Sequence, residues 1–204
     1  MTSKDVFENA TIELEERIKV ITEISMQFNE KKAVEFGIKF KNWILNNIPD
    51  DLLNYAVNWK SLYSDERKKA ARGFVYFLAE YKKVKIKSVH FKNVFAEDED
   101  VLSECGDKVF NFYNKFLEKD NFNDIIGYIA HEMTHLFQDV FQTSLSHEVA
   151  RKGQLYYVEP IENESLYKSN PCERESDIVE NIIGGNFMQE ILKNNFIETF
   201  NYKN

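Results

Sequence analysis

The stretch IIGYIAHEMTHLFQDV, residues 125–140, carries two histidines four residues apart, with a glutamate directly after the first. An apolar pattern runs through them. Ile125, Ile129, Met133, Leu136 and Val140 recur every three or four residues, the period of a helix with one buried stripe. Asp124, Gly127, Tyr128, His131, His135 and Gln138 fall on another face. On a helix, positions i and i+4 stand one turn apart on one side. His131 and His135 can therefore reach a single ion at roughly 2.0–2.1 Å each. Glu132 adjoins the first imidazole, where its carboxylate can serve as a base toward a water held by that ion. Half of the four histidines of the chain lie in this five-residue window, which argues against a chance match. Gly127 costs about 1 kcal/mol inside a helix relative to alanine, so it implies room needed for a neighbour or a substrate.

The rest of the chain frames this segment. Its 204 residues predict one domain, with a helical half over 1–82 and a catalytic half over 83–204. A hydrophobic share of 43% and an aromatic share of 14% supply a packed core and exclude a disordered chain. With only 7 Gly and 3 Pro, long regular elements are favoured over a turn-rich β-sandwich. The net charge of −8 opposes a nucleic-acid partner, and no basic stripe interleaves with aromatics. No apolar run approaches the roughly 20 residues of a bilayer span, so no membrane partner is expected. The charged N-terminus has no apolar signal core, and Cys105 and Cys172 stand far apart in sequence. Together these imply a cytoplasmic protein, with release by a route that cleaves no signal left open.

Apolar periodicity predicts helices over residues 5–28, 30–47, 50–61 and 65–81, the last capped by Ser64. The segments KVKIKSVHF (83–91) and KVFNFYNKF (108–116) alternate and read as strands, joined by the acidic stretch AEDEDVLSECGDK. Helix returns from about 122 to 141. Residues 142–170 have little periodicity and contain the short candidate strand QLYYVEP. A last helix is predicted from Pro171 to about 197, burying Ile178, Val179, Ile182, Ile183, Phe187, Ile191 and Leu192. The fold class is thus α+β, mostly helical, with a small mixed or antiparallel sheet packed on the HExxH helix.

A hydrolytic zinc site needs a third protein ligand. A histidine six residues after His135 would serve, but that position is Phe141. His147 fits no useful spacing. In YKSNPCERESDIVEN, Glu173 and Asp177 lie one helical turn apart. Glu173 can bind the ion, with Glu175 as its rival, and Asp177 can accept a hydrogen bond from the outer nitrogen of a ligating imidazole. Asn170, Pro171 and Glu173 also resemble an ordinary helix start, with cap, first-turn proline and capping glutamate. Cys172 reads as a small buried residue.

His131-Glu132-x-x-His135 followed by Glu173-x-x-x-Asp177 resembles the gluzincin group of zinc metallopeptidases, of which thermolysin-like enzymes are the best known. The resemblance covers mainly residues 83–197; the 37 residues between His135 and Glu173 exceed the thermolysin-like spacing. It implies a zincin-like fold, Zn²⁺ held by His131, His135 and Glu173, Glu132 as general base, Asp177 supporting an imidazole, and a peptide or protein substrate. Tyr167 is the first candidate for a donor to the oxyanion, with Tyr157 and His147 next. The strand KVFNFYNKF is expected at the sheet edge facing the cleft, with 142–170 as a wall or lid. Competing readings are a non-catalytic zincin-like binding or structural module, an effector or toxin protease, and a protease linked to DNA repair. An intact Glu132 opposes the first; the acidic charge and the missing basic zinc-ribbon tail oppose the last. Oligomeric state has no signature in the sequence.

Overall fold

The computed structural model describes residues 14–92 and 103–193. Expected helical positions 5–13, the acidic residues 96–102 and the expected helix end at 194–197 lie outside them. The N-terminal helices are α1 (Leu14–Ser25), α2 (Glu30–Asn47), α3 (Asp50–Asn58), a 3₁₀ turn (Trp59–Ser61) and α4 (Ser64–Glu80). Local chemistry sets their ends. Asn29 caps α2, its side chain accepting from the Lys32 N–H at 3.1 Å. Pro49 separates α2 from α3. Ser64 is the first residue of α4 rather than its cap; the Glu66 carboxylate instead reaches back to the Tyr63 N–H at 2.9 Å.

The sheet contains β1 (Ser88–Lys92), β2 (Ser103–Gly106) and β3 (Val109–Tyr113) in the order β1-β3-β2. β1 runs parallel to β3, placing Val89 opposite Phe110, and β2 runs antiparallel to it, placing Cys105 opposite Phe110. Three expectations are corrected here. The first alternating segment becomes strand only from Ser88, and the second turns helical after Tyr113 as α5 (Asn114–Glu118). The acidic stretch is not merely a linker: its end forms β2. Asp107 and Lys108, both at positive φ (52° and 66°), close the β2–β3 hairpin in the mirror-image turn that suits strand twist. β3 is therefore the central strand, and β2 is the edge that lies against the HExxH helix.

That helix is α6 (Phe122–Asp139), followed by α7 (His147–Leu155), α8 (Pro160–Ser169) and α9 (Pro171–Gly184). QLYYVEP forms no strand: it contains the end of α7, a connection and the first residue of α8. The last helical stretch is interrupted at residues 185–186 and resumes over 187–193. Val179, Ile183, Phe187 and Ile191 are buried as expected, whereas Leu192 is 44% exposed.

One core spans both halves of the chain. It joins Phe40 and Ile44 of α2, Phe74 and Leu78 of α4, Phe137 of α6 and Ile183 of α9. Phe40 stacks on Tyr81 at 4.7 Å and meets Phe137 edge-on at 5.5 Å. Each such fully buried side chain contributes about 1.5–3 kcal/mol. A smaller cluster packs Ile21 and Ile24 of α1 against Val149, Val158 and Leu166, tying the N-terminal helix to the 142–170 segment. Among the described residues no helix is long and apolar enough to cross a membrane.

Candidate metal centre

Two helices build the site. α6 contributes the histidines, and α9 lies along it as its most extensive helical neighbour. The polar face of α6 is therefore covered rather than solvated: Gly127, Thr134 and Gln138 are buried beside the fully buried Ile125, Ile129, Met133 and Leu136. Val140, expected in that stripe, is half-buried just past the helix end. Gly127 serves this crossing. A Cβ there would lie 3.5 Å from the Gly184 Cα and 3.3 Å from the Glu180 Cγ, and a Cβ at Gly184 would lie 2.8 Å from the Asn123 carbonyl oxygen. The missing side chains let the backbones approach; the neighbour that Gly127 accommodates is a helix.

Asn170 caps α9, accepting from the Cys172 N–H at 3.0 Å, and Pro171 opens its first turn. Glu173 then points across the gap to α6. Its carboxylate oxygens lie 3.7 Å from His131 Nε2 and 3.5 Å from His135 Nε2, and the two Nε2 atoms are 3.1 Å apart. A tetrahedral ion about 2.0–2.1 Å from each donor would set its donors about 3.4 Å apart, so the spacing fits one. Glu173 is 3% exposed. Burial alone would raise its pKa, but the two imidazoles outweigh burial and hold it well below the usual carboxylate range.

The outer ring nitrogens fix which way the lone pairs point. His131 Nδ1 faces Glu180 Oε2 at 3.0 Å and Asp177 Oδ1 at 3.5 Å, both acceptors. Neither carboxylate is aligned to accept a hydrogen bond from Nδ1, so the bond expected for Asp177 is not formed and both act as electrostatic contacts. His135 Nδ1 faces Gln138 Oε1 at 3.0 Å, with the Ser176 hydroxyl at 3.4 Å. With both Nδ1 atoms carrying their protons, both Nε2 lone pairs converge with the Glu173 carboxylate on one point. Such a point repels itself unless a proton or a metal ion sits there. Burial lowers the affinity of both imidazoles for a proton. The neighbouring carboxylates, Glu173 for both and Glu180 for His131, reverse that and raise their pKa values.

Glu132 is half-buried, and its Oε1 accepts from the Ser103 hydroxyl of β2 at 3.1 Å. Burial raises its pKa against the pull of the two histidines. Glu175, the rival of Glu173, points elsewhere. Fully buried, it accepts from Gln138 Nε2 at 3.0 Å and from the Ser144 N–H at 2.8 Å. Tyr167 and Tyr157 meet edge to face at 5.9 Å. Burial, then the adjacent Glu173 carboxylate, pushes both phenols well above the usual tyrosine range. His147 is exposed at the start of α7 with its ring against Phe141, 3.9 Å between centroids, and joins no group of metal-ligand type among the described residues. Cys172 is buried with its thiol 3.6 Å from the Ala150 carbonyl, outside that group.

Two contributors, Glu180 and Ser103, escape the sequence reading, and a third, Gln138, falls on the histidine face there without a role. Glu180 lies seven residues after Glu173 and three after Asp177, the repeat of one helical face, so its signal was present. Gln138 stands three residues after His135 for the same reason. Ser103 had no signal, since its strand was hidden in an acidic stretch. Compared with known proteins, the chain matches no family model, no curated protein and no solved structure.

Proposed function

We propose that the protein is a zinc-dependent metallopeptidase of gluzincin type, with a zincin-like catalytic half and a peptide or protein substrate. The observation that supports this reading is the convergence of His131 Nε2, His135 Nε2 and the Glu173 carboxylate, 3.1 to 3.7 Å from one another. Zinc bound by these three groups would polarise the scissile carbonyl and acidify a water beside it. Glu132, one residue from His131 and with its carboxyl pKa raised by burial, takes the proton of the attacking water and passes it to the leaving nitrogen. Ser103 keeps that carboxylate aimed from the sheet side. Tyr167 stays protonated beside Glu173 and donates to the oxyanion as it forms. Among the described residues β2 has β3 as its one strand partner, so its free edge can pair with an extended peptide next to Glu132.

The test is metal analysis together with a peptidase assay. Wild type is expected to hold about one zinc per chain, and His131→Ala and Glu173→Ala to hold none. Glu132→Gln is expected to keep its zinc and to lose about 10²–10⁴-fold in turnover. Zinc retained by both ligand variants would overturn the site. Unchanged turnover in Glu132→Gln would remove Glu132 as the general base, and a wild type that holds zinc but cleaves no peptide would return the chain to the binding-module reading.

A further inference from the structure

Glu175 is a carboxylate with no exposed surface, and its hydrogen bonds come from the neutral donors of Gln138 and Ser144. Burying a charge is costly unless every lone pair is used. Its Oε1 accepts from the Ser144 N–H at 2.8 Å and from the Ser144 hydroxyl, and its Oε2 accepts from Gln138 Nε2 at 3.0 Å. Gln138 is also fully buried, and its amide group gives its other proton to the Cys172 carbonyl at 3.0 Å. Both groups facing the Gln138 NH₂ can only accept. Turning the amide over would place its oxygen against a carboxylate and a carbonyl. Gln138 is therefore locked with Oε1 toward His135 Nδ1.

We infer that Glu175 is a positioning residue that acts through Gln138 to set the tautomer of His135. It leaves the proton on Nδ1 and the lone pair of Nε2 directed at Glu173 and His131. The Ser176 hydroxyl, at 3.4 Å from the same nitrogen, can donate or accept and so selects neither tautomer. This inference deepens the zinc-site reading, and part of its test is independent of that reading.

The decisive variant is Glu175→Gln, which keeps the shape and removes the acceptor-only character. The new amide can keep its oxygen toward Ser144 and turn its NH₂ toward Gln138. Gln138 can then flip to accept that bond, giving up its bond to the Cys172 carbonyl, and offers its own NH₂ to His135 Nδ1. The ring must in turn carry its proton on Nε2, where it blocks a ligand. Long-range ¹⁵N–¹H spectra of the metal-free protein, at a pH where the rings are neutral, read the tautomer directly. Zinc affinity is read by competition with a chromophoric chelator. Glu175→Gln is expected to move His135 toward the Nε2–H form and to bind zinc about 10–100-fold more weakly. The charge swap Gln138→Glu with Glu175→Gln returns an acceptor to Nδ1 and is expected to recover both readouts in part. Ser144→Ala, which loosens Glu175 without touching Gln138, is expected to change thermal stability and neither readout. A Glu175→Gln protein that keeps the Nδ1–H tautomer, or binds zinc as wild type does, overturns the inference. If Glu175→Gln does not fold, Gln138→Met carries the test. It is expected to leave His135 a mixture of tautomers with weakened zinc binding, and wild-type affinity there also overturns it. A wild type that binds no zinc would sink the metallopeptidase reading, while the tautomer measurement would still decide the role of Glu175.

Discussion

The α6–α9 pair and the 142–170 wall meet at the same site but are built by opposite means. In the pair, two helices approach through Gly127 and Gly184, and every group aimed at the convergence point is anchored on one or the other. The wall consists of two short helices that rest on α9 on one side and on α1 on the other. α1 buries Ile21 and Ile24 against it, and Arg17 grips it from outside. On the proposed reading this is a division of labour: metal affinity would belong to the pair, and handling of the reacting carbonyl to the wall. Substitutions should separate the two.

The largest separation is expected at Tyr167. Tyr167→Phe removes a hydroxyl from the wall and nothing from the pair. Turnover is expected to fall about 10²–10³-fold, the usual loss for one oxyanion donor, with zinc content unchanged. Single-turnover kinetics beside metal analysis would check it. A variant that loses zinc as well would show that the phenol supports Glu173, and the division would break there.

The next effect belongs to the pair. Asp177→Asn with Glu180→Gln keeps the fold but withdraws both carboxylates from His131 Nδ1. Zinc affinity is expected to fall about 10–100-fold. The pH dependence sharpens the point. Zinc must displace a proton from imidazoles whose pKa values are raised, so wild-type affinity should begin to fall, as pH is lowered, above the usual histidine range. Burial lowers the His131 pKa while Glu173 and Glu180 raise it; without Glu180 that onset shifts to lower pH. An unchanged pH profile in the double variant would mean that these carboxylates do not govern His131.

The same contrast explains what the sequence made legible. α6 announced itself twice, by its apolar period and by His131-Glu132-x-x-His135, and α9 by the cap Asn170 and the first-turn Pro171. Glu173 and Asp177 followed from one face of that helix. The wall gave no comparable signal. α8 starts after Glu159 without a short polar cap, the Glu162 carboxylate accepting from the Glu159 N–H instead, leaves Ile161 88% exposed, and kinks at Asn163 with φ −162° and ψ 95°. Apolar residues that never share a face leave no period to detect. Tyr156-Tyr157-Val158 resembles a strand by its aromatic and β-branched residues, yet Val158 packs beneath α1, a contact between residues far apart in sequence. β2 was lost for a related reason: four residues among acidic neighbours gain their identity only from pairing with β3.

The smallest effect is expected at Arg17, and it bears most directly on the comparison. Its guanidinium makes a two-pronged pair with Glu162, both contacts at 3.2 Å, and donates to the Tyr157 carbonyl at 3.2 Å. Glu162 is partly exposed, so solvent screening limits the pair to about 1 kcal/mol or less. Arg17→Ala should therefore leave the global melt almost unmoved. Its consequence is local, because the carbonyl that it releases belongs to the tyrosine that abuts Tyr167. Amide hydrogen exchange is expected to quicken over residues 156–167 and to stay slow in α6 and α9, with turnover reduced several-fold and zinc affinity unaltered. Faster exchange in α6 would mean that the wall braces the pair, and the two regions would have to be treated as one cooperative unit.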